Sequence, residues 1–288
     1  MHTKSISLFD LAPGKVLLDR YKISGANRHG GMSTAFEAAD TKGKGSCELQ
    51  LFPAALFENK KQAAEFARSM MSWMEVESSH VARAREVHAL DDGTILLVTE
   101  LPPKASLKQW RGTKALEADD VIDIGVQLCA GLVAIHAQEL VHGDIKPHTI
   151  HVDDAKKTKV VLVDGGITPG LWSAKHLGDK TALIGTPFYA PIEQFGGESP
   201  DVQSDVYNVA TVLYELVTGV LPWKGKSFLD VFQEKLQKTP PPMKARAPKV
   251  DVSKELEAAI ASGLMADKRE RCKTAEEFAK RLKAAKAT

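Results

Sequence analysis

The sequence predicts an α+β chain of two lobes: a small, mainly antiparallel β lobe with one helix, then a larger helical lobe. Three observations lead there. From Tyr21 to about Leu101, short runs alternate apolar and polar residues with glycines at the turns, which is strand periodicity. Pro102-Pro103 then interrupts the chain. Beyond it, apolar residues recur at helical spacing.

Taken in order, residues 1–20 form an N-terminal extension, 21–101 the small lobe, 102–103 a hinge and 104–288 the large lobe. The small lobe's helix runs from Asn59 to about Glu77. In the large lobe, Val121, Ile122, Ile124, Leu128, Leu132 and Ile135 make one broad apolar face, so that helix is buried. The run from Asp205 to Val217 is apolar almost all round, which predicts a core helix closed by Thr218-Gly219. Pro240-Pro241-Pro242 marks a loop, and Ala275 to Lys283 a final surface helix.

Composition sets bounds. The chain has 288 residues, 43% hydrophobic and 26% charged, enough for a sizeable core. A net charge of +1 gives no reason to expect nucleic acid or an acidic membrane as partner. No run reaches about 18 apolar residues, and the N-terminus lacks a signal-peptide core. A cytoplasmic protein is expected. Cys47, Cys129 and Cys272 are far apart and read as buried or incidental thiols in a reducing compartment.

Six motifs occur in order. They are Gly30-Gly31-Met32-Ser33, His142-Gly143-Asp144-Ile145-Lys146-Pro147, Asp164-Gly165-Gly166, Gly185-Thr186-Pro187 to Glu193, Ser204-Asp205-Val206-Tyr207, and Arg271. Together they resemble the bacterial eukaryotic-like Ser/Thr protein kinases. The resemblance implies the two-lobed kinase fold, use of ATP and Mg2+, and a protein substrate or partner. It places the catalytic base at Asp144, its lysine at Lys146 and a metal ligand at Asp164. It also implies that Asp205 caps the catalytic-loop backbone and that Arg271 pairs with Glu193.

Other positions depart from that pattern. Gln50 stands where the phosphate-holding lysine belongs, and the helix segment Phe66 to Ser72 offers no glutamate to pair with it. The second metal position is Thr149, a poorer magnesium ligand than an amide oxygen. Arg28 replaces the first glycine of the loop that continues through Gly30 and Gly31. Gly165 follows Asp164, so the aromatic plug of the metal loop is missing. At the adenine slot, Thr99 matches the gatekeeper and Glu100 the adenine-contacting carbonyl. The adenine N–H donor falls on Pro102, which has none. Glu48 replaces the small roof residue and His151 the aliphatic floor. These two either close on each other across the slot or stand solvated at its mouth. Gly143 replaces the arginine that reads an activation-loop phosphate, so Thr181 or Thr186 would have no internal receptor. His142, His148 and His151 do not read as a zinc site, because His142 matches the family's core histidine.

Two functions fit. One is a pseudokinase that binds and regulates another protein with weak or absent ATP binding. The other is a divergent Ser/Thr kinase or other phosphotransferase that uses Asp144 and Asp164, with Arg28 swinging in to replace the lost charge.

Overall fold

The computed structural model describes residue 6 and residues 11–29, 33–43, 45–155, 158–175, 187–237 and 239–286. Strands β1 (Val16–Leu17), β2 (Tyr21–His29), β3 (Thr34–Asp40), β4 (Ser46–Phe52), β5 (Ala84–Ala89) and β6 (Ile95–Glu100) form one sheet in the order β1-β2-β3-β4-β6-β5. Every pairing in it is antiparallel. Cys47, Leu49 and Leu51 of β4 pack with Tyr21, Ile23 and Phe36 in the small lobe's own core. Alternation then sends Glu48 and Gln50 to the opposite face, toward the other lobe.

The extension ends earlier than residue 20. Val16 and Leu17 pair with Lys22 and Tyr21, and Leu11 and Leu17 are buried in the small core. These apolar side chains make residues 11–20 part of the lobe. Helix α1 (Lys60–Met71) starts at Asn59, whose side chain accepts from the Gln62 amide. Its buried stripe is Ala63, Phe66, Ala67 and Met70. A 3-10 turn, Ser72–Glu75, follows and buries Trp73.

The large lobe begins with β7 (Ala105–Ser106), α2 (Leu107–Arg111) and α3 (Ala118–His136). Next come β8 (Ile150–Asp153), β9 (Lys159–Leu162), α4 (Ile167–Ala174), α5 (Ile192–Phe195) and α6 (Val202–Thr218). It ends with α7 (Phe228–Lys235), α8 (Met243–Arg246), α9 (Lys254–Gly263) and α10 (Ala275–Lys286). Strands β7, β8 and β9 make a small antiparallel sheet under the hinge.

Helix α6 is the central post, buried at every residue from Ser204 to Thr218. A capping box between Asp201 and Ser204 starts it, and Gly219 at φ 77° ends it. At Gly263 of α9, a Cβ would lie 2.6 Å from the Ala210 methyl, so glycine permits this close helix crossing. The last helix runs three residues past the predicted Lys283 because Ala285 still buries itself. All three cysteines are buried free thiols.

Candidate functional site

Asp205 anchors the site from below. Its two carboxylate oxygens accept from the backbone amides of His142 and Gly143, each at 2.8 Å. Glu193 and Arg271 form a two-bond ion pair at 2.6 and 3.0 Å, which ties α5 to the loop before α10. Both contacts match the sequence expectation.

On this support, Asp144 and Lys146 face one another, with Lys146 Nζ 2.5 Å from Asp144 Oδ2. Thr149 Oγ1 donates to the Asp144 carbonyl at 2.9 Å and accepts from the Lys146 amide at 3.1 Å. Its hydroxyl braces the loop, which explains a threonine here without any metal.

Charge in the cleft is organised by Arg28. Register shifts in β2 against β3 fall between Ile23 and Gly25 and between Ala26 and Arg28. A bulge re-aims side chains, and here neighbouring Asn27 and Arg28 both reach Glu48. Asn27 Nδ2 donates to Glu48 at 2.6 Å, and Arg28 donates through Nε at 2.9 Å and Nη2 at 2.5 Å. The same guanidinium crosses to the large lobe and grips Asp164, through Nη2 at 2.6 Å to Oδ1 and through Nη1 to Oδ2. Gln50 Nε2 adds a 2.5 Å bond to Asp164 Oδ1. Burial alone would push the Asp164 carboxyl up. The Arg28 charge and the Arg28 and Gln50 hydrogen bonds overcome this and hold it below its ordinary value.

Glu48 and His151 do not pair, and neither is solvated: they are 1% and 4% exposed. Glu48 goes to Arg28 because four donors converge on it, from Asn27, Arg28 (twice) and Gln50. His151 Nδ1 instead donates to the Pro103 carbonyl at 2.5 Å. Burial, with the Arg28 charge adding to it, pulls His151 below its ordinary pKa, although the bond to the Pro103 carbonyl works the other way. Glu100 ends β6 with an exposed side chain, and its amide bonds to the Arg83 carbonyl. Gly30, Gly31, Thr181 and Thr186 lie outside the described residues.

The metal loop does have an aromatic plug, supplied from elsewhere. Trp73 lies against Gly165 and Gly166, so close that a Cβ on Gly165 would sit 2.4 Å from Cζ3 of its ring. Sequence reading missed Trp73 because nothing local ties it to a loop some ninety residues on. The pairing of two bare glycines with a tryptophan after α1 was the available signal. Reading also missed Asn27 and the buried Arg111–Glu215–Tyr189 cluster, in which Glu215 joins Arg111 and Tyr189, each at 2.6 Å.

Whether these residues fit a magnesium-nucleotide can be tested on their geometry. Both oxygens of Asp164 are engaged by Arg28 and Gln50. A cavity of about 20 Å³ remains between Arg28, Glu48, Gln50, Thr99 and Asp164, about the space of one water. Pro102 has no N–H to offer adenine. In this arrangement they do not fit.

A model of the protein kinase domain matches residues 29–282, and the chain belongs to that family. It is 26% identical over 277 residues to the serine/threonine-protein kinase pkn3 of Myxococcus xanthus, covering 94% of this chain and 51% of that protein. Against PrkC of Bacillus subtilis it is 26% identical over 273 residues, covering 94% of this chain and 41% of that protein. The chain thus spans about half the length, or less, of these curated relatives. Its fold matches a double-mutant form of the PknI kinase domain of Mycobacterium tuberculosis with a TM-score of 0.75, at 19% identity, covering 96% of this chain and 98% of that one. The fold is therefore that of a protein kinase domain. Among the described residues, no helix is long and apolar enough to cross a membrane.

Proposed function

We propose that this domain is a pseudokinase that acts by binding and regulating a protein partner, with weak or absent binding of ATP and Mg2+. The observation that carries the reading is the Arg28 fork on Asp164. The carboxylate that would hold magnesium already has a cation and an amide, and the phosphate-binding lysine is the neutral Gln50. Electrostatic stabilisation is usually the largest catalytic contribution. A cleft whose charges satisfy one another has little to give a triphosphate.

The second reading, a divergent phosphotransferase, has one observation in its favour. Arg28 brings positive charge to the neighbourhood of Gln50, since both bond to Asp164, and Asp144 and Lys146 remain paired with each other. Thermal unfolding with ATP and Mg2+ separates the two. The pseudokinase does not shift. A binder at a hundredfold over its Kd gains about 2.7 kcal/mol, and an Asp144→Asn comparison in a phosphate-transfer assay then tells whether the nucleotide is used.

A further inference from the structure

Asp164 has φ 64°, a left-handed conformation that a non-glycine residue adopts at a cost. The next two residues are glycines, the most costly to order, and Gly166 is also left-handed at φ 75°. The loop nevertheless presents its carboxylate squarely to Arg28 and Gln50. Something outside it must restrict it.

We infer that Trp73 is the positioning residue of this loop: its ring, arriving from the turn after α1, holds Asp164 where Arg28 can grip it. Trp73 is 6% exposed. A Cβ on Gly166 would lie 2.0 Å from its Nε1, and one on Gly165 2.5 Å from its Cη2. The ring therefore fills the volume that a side chain from the loop would need. The same side of α1 meets Gly170 of α4, where a Cβ would be 3.1 Å from Met70 Cε and 3.1 Å from Ser69 Oγ. Bare backbone on the large lobe thus receives Ser69, Met70 and Trp73 from the small one. A shift of α1 moves the ring, and with it the Asp164 carboxylate. The inference goes beyond the pseudokinase reading and holds whether or not nucleotide binds.

The test is whether Trp73 governs the coupling between Arg28 and Asp164, which a tryptophan that merely fills space would leave alone. Urea unfolding of Arg28→Met, Asp164→Asn and the double variant gives that coupling in the wild-type and in a Trp73→Ala background. With Trp73 present, the coupling is expected to be worth roughly tenfold in the folding equilibrium. It should fall to near unity in Trp73→Ala and return when Gly165→Phe is added to that background. Equal coupling with and without Trp73 overturns the inference. Should Trp73→Ala not fold, Trp73→Phe is read by amide exchange. The 164–166 amides are expected to exchange about tenfold faster while α6 is unchanged, and unchanged rates at 164–166 overturn the inference. A thermal shift with ATP and Mg2+ on the wild-type protein would sink the pseudokinase reading alone.

Discussion

Arg28 lies across Asp164 as a fork, two guanidinium nitrogens on two carboxylate oxygens, and ties the small lobe to the large one. Its third bonding edge is on Glu48. One cation thus stands between two carboxylates, and the amides of Asn27 and Gln50 supply the remaining donors. Burial pulls the guanidinium down, but both carboxylates more than offset this and raise it further above its ordinary value.

Removing one member of a buried ion cluster leaves the others uncompensated. Arg28→Ala is expected to destabilise the domain by about 3–5 kcal/mol, read by urea unfolding. Arg28→Lys should recover only part of it, because an ammonium cannot bridge both carboxylates as a planar fork does. A loss within error of zero for Arg28→Ala would contradict the clamp.

The pH dependence has two limbs. Asp164 titrates below its ordinary 3.8 in the folded state, so its contribution is complete above that value and is lost as pH falls through the folded pKa. Burial holds His142 and His151 below their ordinary 6.5, so the unfolded chain takes up their protons first and stability declines as pH drops below 6.5. Unfolding measured from about pH 8 to about pH 3 should show both limbs. Asp164→Asn should shrink the acid limb, which Asp201 and Glu277 share because both are also held below their ordinary values, and leave the histidine limb in place.

Restoring the family's pattern at three positions should open the cleft. With Arg28→Gly, Glu48→Ala and Gln50→Lys combined, Asp164 is released and a lysine stands in the phosphate position. ATP with Mg2+ should then raise Tm, by about 2–4 °C for each kcal/mol of binding, where the natural chain is expected not to respond. No response from the triple variant would make Pro102 and Thr149 the dominant obstacles.

Lys235 is a buried side chain, 1% exposed, whose Nζ donates to the carbonyls of Pro187, Phe188 and Ala190. Desolvation lowers its pKa well below the ordinary value. Lys235→Met leaves those carbonyls unpaired and is expected to cost roughly 1–3 kcal/mol. Limited proteolysis should show faster cleavage at residues 187–190. Equal protection of that segment would contradict the capping role.

Much of the fold was legible because its signals are local or fall at fixed offsets. The apolar run ending at Thr218-Gly219 marked α6, Asn59 marked the start of α1, and strand parity put Glu48 and Gln50 on one face. The Glu193–Arg271 pair and the Asp205 caps came from the family resemblance. The cleft was legible in composition but not in connectivity. Arg28, Glu48 and Gln50 each stand out as departures, but residue identity alone does not say which of them meet, since His151 is an equally available partner for Glu48. His151 went instead to a backbone carbonyl, which leaves no trace in side-chain chemistry. Trp73 could not be placed because the glycines it packs on, Gly165 and Gly166, lie some ninety residues further along the chain. The β2 irregularities beside Arg28 had one local flag, Gly25 inside the strand run, which marks a bulge but not where it sends the neighbouring side chains.

The Arg28 bridge has a consequence for what such a domain can sense. A cleft that shuts on a diffusible nucleotide reports the energy state of its surroundings. This one carries its closing ion on its own strand, and on the pseudokinase reading proposed above its closed outline is displayed equally in plenty and in starvation. Control would then rest on how many copies exist and on who docks with them.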